Sequence, residues 1–306
     1  LHVGGHMWEM KCRHEWDGIN ACEWAPDPNG YHGCETAYSR WLAINHPDIL
    51  ARWQRDGNKI GHVLAEAHFT TWAANRTIDY LHRMQGTHQP FFCCMSVFDP
   101  HNPYTNYPAE YRDLLNIEVL PEIHAPDEPF EHRPIAHRLE ARKKSRPDLI
   151  ESRIGYHAAI SLIDEQVGRV LETLDETKFS QNTVVIFASD HGDMLGDHGL
   201  YLKGPMLYEG VLRVGMIVKG AAIPAGKVVD DPMSTLDLTP TFYDWAGVTV
   251  PHGLQGRSLA PLISGDDNSG RSVARSEWFV HKLSLIHISE PTRLGMSSYA
   301  VFCLKK

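Results

Sequence analysis

The stretch that decides the fold is TVVIFASDHGDMLGDHGLYLK, from Thr183 to Lys203. Its first six residues, Thr183 to Ala188, are β-branched and apolar, the pattern of a buried strand. Ser189, Asp190, His191, Gly192 and Asp193 follow at once, then Gly196-Asp197-His198-Gly199, then Lys203. In open α/β sheets, ligand sites form outside the carboxyl ends of strands, and Asp190 falls at such an end. A carboxylate and an imidazole at a strand mouth, a glycine that lets the chain turn, and a returning lysine can hold a divalent cation beside an anion. That is an enzyme's layout.

Outward from this stretch, helices and strands alternate. Glu151 to Asp175 carries Ile160, Ile163, Val167, Val170 or Leu171, and Leu174 at spacings of three and four, which predicts a helix. Val63 to Met84 predicts another, with Leu64, Trp72, Ile78 and Leu81 near one face and Gly86 beyond its end. Pro90 to Phe98 (PFFCCMSVF) is an apolar strand that runs into Asp99-Pro100-His101-Asn102-Pro103. Val211 to Val218 predicts a further strand, and Ser234 to Ala246 a short helix closed by Gly247. Residues 104–148 are polar and proline-punctuated, an insertion over the surface. Residues 1–60, rich in Gly, Trp, His and Pro, predict long loops with short elements. The fold class is therefore α/β, a mostly parallel sheet flanked by helices on both faces.

With 306 residues, 42% hydrophobic and 22% charged, the chain can bury a sizeable core. The net charge of −9 and the single short basic run Arg142-Lys143-Lys144 give no nucleic-acid footprint. No stretch has the apolar length of a membrane span. The chain opens at Leu1, so the lack of a leader says nothing about export. Leu283 to Arg293 (LSLIHISEPTR) resembles a translated transposase sequencing adapter, and Ser298 to Leu304 (SYAVFCL) the outer primer that follows it. Residues 283–306 are accordingly set aside from the fold. Cys93 and Cys94 lie in an apolar strand and read as packing. Cys12, Cys22 and Cys34 lack a tight paired spacing, which argues against zinc and leaves one disulfide open.

Individually, the polar residues have bland alternatives. Asp190 and His191 can reach one cation if the backbone turns behind them, or they can cap the turn and pack. The donor set suits calcium, and manganese or zinc better. Lys203 offers a compact charge for one oxygen of a sulfate or phosphate, or is an exposed lysine. His101, between two prolines at a strand end, can donate to an ester oxygen or protonate a leaving group, or is a loop histidine. Asp197 and His198 read as loop structure first and as support for the site second.

Together these motifs resemble the sulfatase branch of the alkaline phosphatase superfamily. FFCCMSVFDPHNPY (Phe91 to Tyr104) is similar to its strand and histidine loop. SDHGDMLGDHGLYLKGP (Ser189 to Pro205) is similar to its second metal motif with the sulfate-binding lysine, and STLDLTPTFYDWAG (Ser234 to Gly247) to the helix that follows. The resemblance runs from about residue 64 to 265. It implies an alkaline-phosphatase-like fold, incomplete at both ends, with residues 1–258 as a truncated catalytic domain and 259–282 as the start of a C-terminal segment. It implies Asp190 and His191 as metal ligands, and His101 and Lys203 as catalytic residues contacting the sulfate. Leu1-His2-Val3-Gly4 resembles the end of a Gly-Lys-x-His motif, which makes His2 a helper near the nucleophile. The implied cofactors are a divalent cation, calcium first and manganese second, and a formylglycine.

Two expected motifs are missing. No early pair of acidic ligands occurs, and no cysteine is followed by proline two positions on and arginine four on. Both are expected upstream of Leu1, so the fragment itself is expected to lack the nucleophile. The implied reaction is hydrolysis of a small-molecule or carbohydrate sulfate ester, with periplasmic or secreted location. Trp8, Trp24, Trp41 and Trp53 are candidates for stacking on sugar rings or for packing. The alternatives are a phosphonate monoester or phosphodiester hydrolase on the same scaffold, and a non-catalytic carbohydrate- or cation-binding relative.

Overall fold

The structure, a computed structural model, describes residues 1–4, 20–25, 36–55, 63–124, 129–133, 137–138, 146–203, 206–265, 271–276 and 299–305. Strands β1 (His2–Gly4), β2 (Cys22–Trp24), β3 (Phe91–Val97), β4 (Thr183–Ser189), β5 (Met216–Lys219) and β6 (Tyr299–Lys305) form one sheet in the order β2-β1-β3-β6-β4-β5. β1 is parallel to β2 and β3, whereas β6 is antiparallel to β3 and β4, and β5 to β4. Hence β1 to β4 all point one way. Tyr299 stands opposite both Val97 and Ser189, so β3 and β4 end level with each other. Two strand spacings separate them, ~10 Å. That register delivers the His101 loop and the Asp190 loop to the same edge.

The helices are α1 (Ala37–Asn45), α2 (Pro47–Arg55), α3 (Phe69–Met84), α4 (Glu110–Asp113), α5 (Arg146–Glu176), α6 (Glu209–Leu212), α7 (Leu238–Trp245) and α8 (Ala260–Ser264). Neighbouring residues of a strand point to opposite faces, and β3 shows what lies on each. Phe91 meets Tyr80 of α3 at 5.7 Å and Phe179, just after α5, at 5.5 Å. Phe92 meets Phe242 of α7 at 5.2 Å. Helices thus cover both faces. The main core joins Phe69, Trp72 and Leu81 of α3 to Met95 of β3 and to Ile163, Val170 and Leu174 of α5.

Several expectations are corrected. Among the described residues of the first 60, the short elements include two helices: α1 starts at a capping box in which Thr36 Oγ1 accepts from Ser39 N and Ser39 Oγ accepts from Thr36 N. α2 starts at Pro47, whose fixed φ suits a first helical position. Trp53 is buried and Trp41 stacks on Tyr38 at 6.0 Å, so both are packing residues. Trp24 lies in β2, and Trp8 lies outside the described residues. Leu64 is exposed, because it precedes the helix it was expected to face. Val211–Val218 is not one strand. Arg213 and Gly215 interrupt the apolar run, and the carbonyl of Val211 in α6 accepts Gly192 N at 2.8 Å instead of joining a ladder.

Cys93 is buried, which pushes its thiol up to about 12, and Cys22, Cys93 and Cys94 are thiols; Cys12 and Cys34 lie outside the described residues. Residues 283–298 of the adapter-like tail also lie outside them, but Tyr299–Lys305 is strand β6, central in the sheet. A run that carries aromatic and β-branched residues fits a strand position. Past residue 258 the chain folds back on α7, with Leu259 N donating to Thr241 Oγ1 at 2.8 Å and Arg271 pairing with buried Asp237 at 2.6 Å. No helix among the described residues is long and apolar enough to cross a membrane.

Candidate active site

The loop after β3 is anchored from below. Asp99 is buried and accepts Thr70 Oγ1–H at 2.7 Å, with His68 Nδ1 at 3.9 Å. Burial pushes the Asp99 carboxyl up, opposed by the hydrogen bond from Thr70. His68 Nδ1 accepts Thr70 N–H at 3.2 Å, so its proton sits on Nε2 and is donated to Asn106 O at 2.9 Å. Above this knot, between Pro100 and Pro103, His101 donates Nδ1–H to Asn102 O at 2.7 Å and lies against Phe98 at 4.7 Å. That tautomer turns the Nε2 lone pair outward.

Lys203 meets it there. Its Nζ donates to His101 Nε2 at 3.2 Å, across 102 residues of chain. Burial, then the Lys203 charge, push His101 down to about 4, so the imidazole is neutral at pH 7. Burial pushes Lys203 down to about 8, while the carboxylates of Asp190 and Asp193 act in the opposite direction. Lys203 is therefore still mostly an ammonium at neutral pH.

After β4, Ser189 Oγ donates to His191 O at 2.9 Å and Asp190 Oδ1 accepts His191 N–H at 2.9 Å. His191 donates Nδ1–H to Gly192 O at 2.6 Å, which leaves its Nε2 in the ligating, lone-pair form. Gly192 is required for a reason other than the expected turn: a Cβ there would fall 2.0 Å from Gly210 O. The left-handed positions come later in the loop, at Leu195, Gly196, His198, Gly199 and Leu202.

Four of the expected site residues therefore gather at one edge: His101 and Lys203 in contact, Asp190 within electrostatic reach of Lys203, and His191 beside it. His2 is apart from them in backbone terms, in β1 opposite Cys94 rather than at the level of Val97. Asp197 and His198 are loop structure. Asp197 Oδ1 accepts His124 N–H at 2.9 Å and lies 3.9 Å from Arg153 Nη1, and the His198 ring stacks on Tyr208 at 4.2 Å. Sequence reasoning missed Tyr104 and Asp193, joined by a 2.6 Å hydrogen bond. Both stand inside the quoted motifs, but nothing in the sequence shows the two loops meeting. Beside them, Pro103, Tyr104, Tyr107, Arg112, Glu151 and Tyr201 help line a cavity of about 610 Å³.

The chain is similar to known proteins over most of its length. An arylsulfatase of Clostridium perfringens is 35% identical over 221 residues, 69% of this chain and 45% of its own length. The uncharacterized sulfatase YidJ of Escherichia coli is 32% identical over 271 residues, 84% of this chain and 50% of its own. The chain thus spans about half the length of these curated relatives. Among solved structures, the phosphonate monoester hydrolase of Agrobacterium radiobacter superposes with a TM-score of 0.68 over 88% of this chain and 60% of that one, at 21% identity. That likeness concerns the fold, which is alkaline-phosphatase-like. The family model described as Sulfatase matches residues 25–248, a span that includes His101, Asp190, His191 and Lys203, and the chain belongs to the sulfatase family.

Proposed function

We propose that the protein carrying this chain hydrolyses sulfate esters, with Lys203 and His101 receiving the sulfate group. The observation that carries this reading is the 3.2 Å contact between Lys203 Nζ and His101 Nε2 at the carboxyl edge of the sheet. Each side chain has given up solvation, and each is partnered by a group that an anion displaces with advantage. A sulfate oxygen is a better acceptor for the Lys203 ammonium than an imidazole lone pair, because the hydrogen bond becomes charge-assisted. The same negative charge favours a proton on His101 Nε2, which then faces the ester as a donor toward the departing alcohol. Charge spreads over the equatorial oxygens in such transfers, so fixed positive charge is the main contribution these residues make.

Asp190 and His191 fit a divalent cation in donor chemistry: one hard anionic oxygen and one imidazole nitrogen in its lone-pair form. When bound, calcium or manganese would polarise a sulfate oxygen. Among the described residues no group of three or more His, Cys, Asp or Glu forms a complete cage, so further ligands are required. The nucleophile, a formylglycine in this reading, is also required from elsewhere. Ser289-Glu290-Pro291-Thr292-Arg293 has the expected spacing with serine in place of cysteine. It falls inside the adapter-like run and outside the described residues. In this reading the nucleophile comes from the part of the full-length protein that this chain does not span.

The deciding assay compares an aryl sulfate with an aryl phosphodiester, using the full-length protein. Faster turnover of the sulfate is expected. A preference for the diester would transfer the site to the alternative reaction, since a sulfate monoester and a diester each carry one negative charge. In that same protein, Asp190→Asn should weaken calcium or manganese binding more than about tenfold, the lower end of what losing even an outer partner costs. Metal affinity unchanged by calorimetry would remove Asp190 from the ligand set.

The 306-residue chain should bind inorganic sulfate with a defined pH dependence. Above about 8, Lys203 loses its proton, so affinity falls by roughly tenfold per pH unit. Toward about 4, His101 gains a proton and affinity rises. Calorimetric titration from pH 5 to 9.5 measures this, and a flat profile above pH 8 would dissociate Lys203 from the anion.

A further inference from the structure

Asp193 takes no part in the chemistry above, yet it gathers the whole loop around its carboxylate. Oδ1 accepts Leu195 N–H at 3.0 Å and Oδ2 accepts the Tyr104 hydroxyl at 2.6 Å. The Lys203 charge and the Leu202 backbone N–H act on it more weakly, each favouring its ionised form. Leu195 and Leu202 are both left-handed, with φ of 43° and 65°. That conformation crowds the Cβ of any residue other than glycine, and it persists only where the surroundings enforce it. The carboxylate binds the first strained leucine directly and acts on the backbone of the second.

The second of them immediately precedes Lys203, and its carbonyl accepts Met194 N–H at 3.0 Å. Tyr104, three residues beyond His101, is fixed in turn. Its ring meets Tyr201 edge-on at 5.6 Å and Tyr156 at 6.2 Å. Its carbonyl lies where a Cβ on Gly155 would stand, at 1.8 Å. The carboxylate thus fastens the end of the loop that carries Lys203 to the loop that carries His101.

We propose that Asp193, oriented by Tyr104, is a positioning residue that holds Leu202 left-handed and thereby aims Lys203 at His101. Its consequence for turnover rests on the sulfate-ester reading, but the contact itself can be followed without substrate. The probe is the His101 imidazole, followed by NMR titration in the 306-residue chain and assigned by its loss in His101→Asn. In the unaltered chain it should titrate near about 4. Lys203→Ala supplies the reference for a lost contact.

Asp193→Ala should move His101 upward toward that reference, by about one pH unit. Removing a carboxylate's field acts in the opposite direction, so a rise reports the departure of Lys203 rather than a change of charge. Tyr104→Phe should give a smaller rise. Asp193→Ala combined with Leu202→Gly should bring His101 back toward its original value, because glycine adopts the left-handed turn unaided. A folded Asp193→Ala chain whose His101 titrates as before would overturn the proposal, as would the absence of recovery with Leu202→Gly. If Asp193→Ala fails to fold, Tyr104→Phe decides on the same criterion. Loss of the sulfatase assignment would leave these shifts in place, and unmoved shifts would leave that assignment in place.

Discussion

Lys203→Ala, introduced into the full-length protein, should lower turnover of an aryl sulfate by roughly two to three powers of ten while the protein stays folded. The size follows from removing one preorganised charged contact at the group where negative charge develops. The absence of a folding penalty follows from the site itself. Burial pushes Lys203 down to about 8, so its charged form is held at a cost in desolvation that Asp190 and Asp193 only partly offset. Alanine abolishes that cost along with the charge, and the melting temperature should hold or rise. Meanwhile His101 should titrate above about 4, freed of a neighbouring cation, yet below its ordinary value because burial remains. Turnover within a few-fold of the original would exclude Lys203 from the sulfate contact. A collapse in both activity and stability would make it a structural residue.

What the sequence disclosed and what it concealed divide along the range of the interactions. TVVIFA and PFFCCMSV are continuous apolar runs, a local pattern that buried strands require, and both became strands within a residue or so of their expected ends. That Asp190, His191 and His101 stand at the carboxyl edge of the sheet was legible because each closely follows a strand end. The pair Tyr104 and Asp193 was hidden because its hydrogen bond spans 89 residues and depends on two loops arriving at one edge. The expected strand from Val211 to Val218 failed for a related reason, since Val211 is claimed by Gly192 rather than by a neighbouring strand. α1 and α2 were legible only as unspecified short elements because their buried residues are sparse; Tyr38, Leu42, Ile49 and Trp53 are spread over two short helices with many polar neighbours. The sheet order, with β6 between β3 and β4, has no local signature at all.

Gly155→Ala should destabilise the protein by at least about 2 kcal/mol, against the direction that helix propensity alone dictates. Gly155 sits inside α5, where replacing glycine by alanine ordinarily stabilises by up to about 1 kcal/mol. Here the added Cβ would stand 1.8 Å from Tyr104 O, 2.9 Å from Tyr104 C and 3.0 Å from Tyr107 Cε1. The first two are main-chain atoms, which cannot swing aside as a flexible side chain can, so the helix and the histidine loop must separate. Overpacking of that kind costs about 1–3 kcal/mol or more. The same helix contains its own control. Gly168 has nothing within 4 Å of its added Cβ, and Gly168→Ala should stabilise as propensity predicts. Urea melts of the two variants should therefore move in opposite directions from the unaltered chain. Separation at Gly155 also draws Tyr104 from Asp193, so Gly155→Ala should weaken sulfate binding while Gly168→Ala leaves it unchanged. If both variants stabilise, α5 and the histidine loop are not in the close contact on which the His101–Lys203 geometry depends.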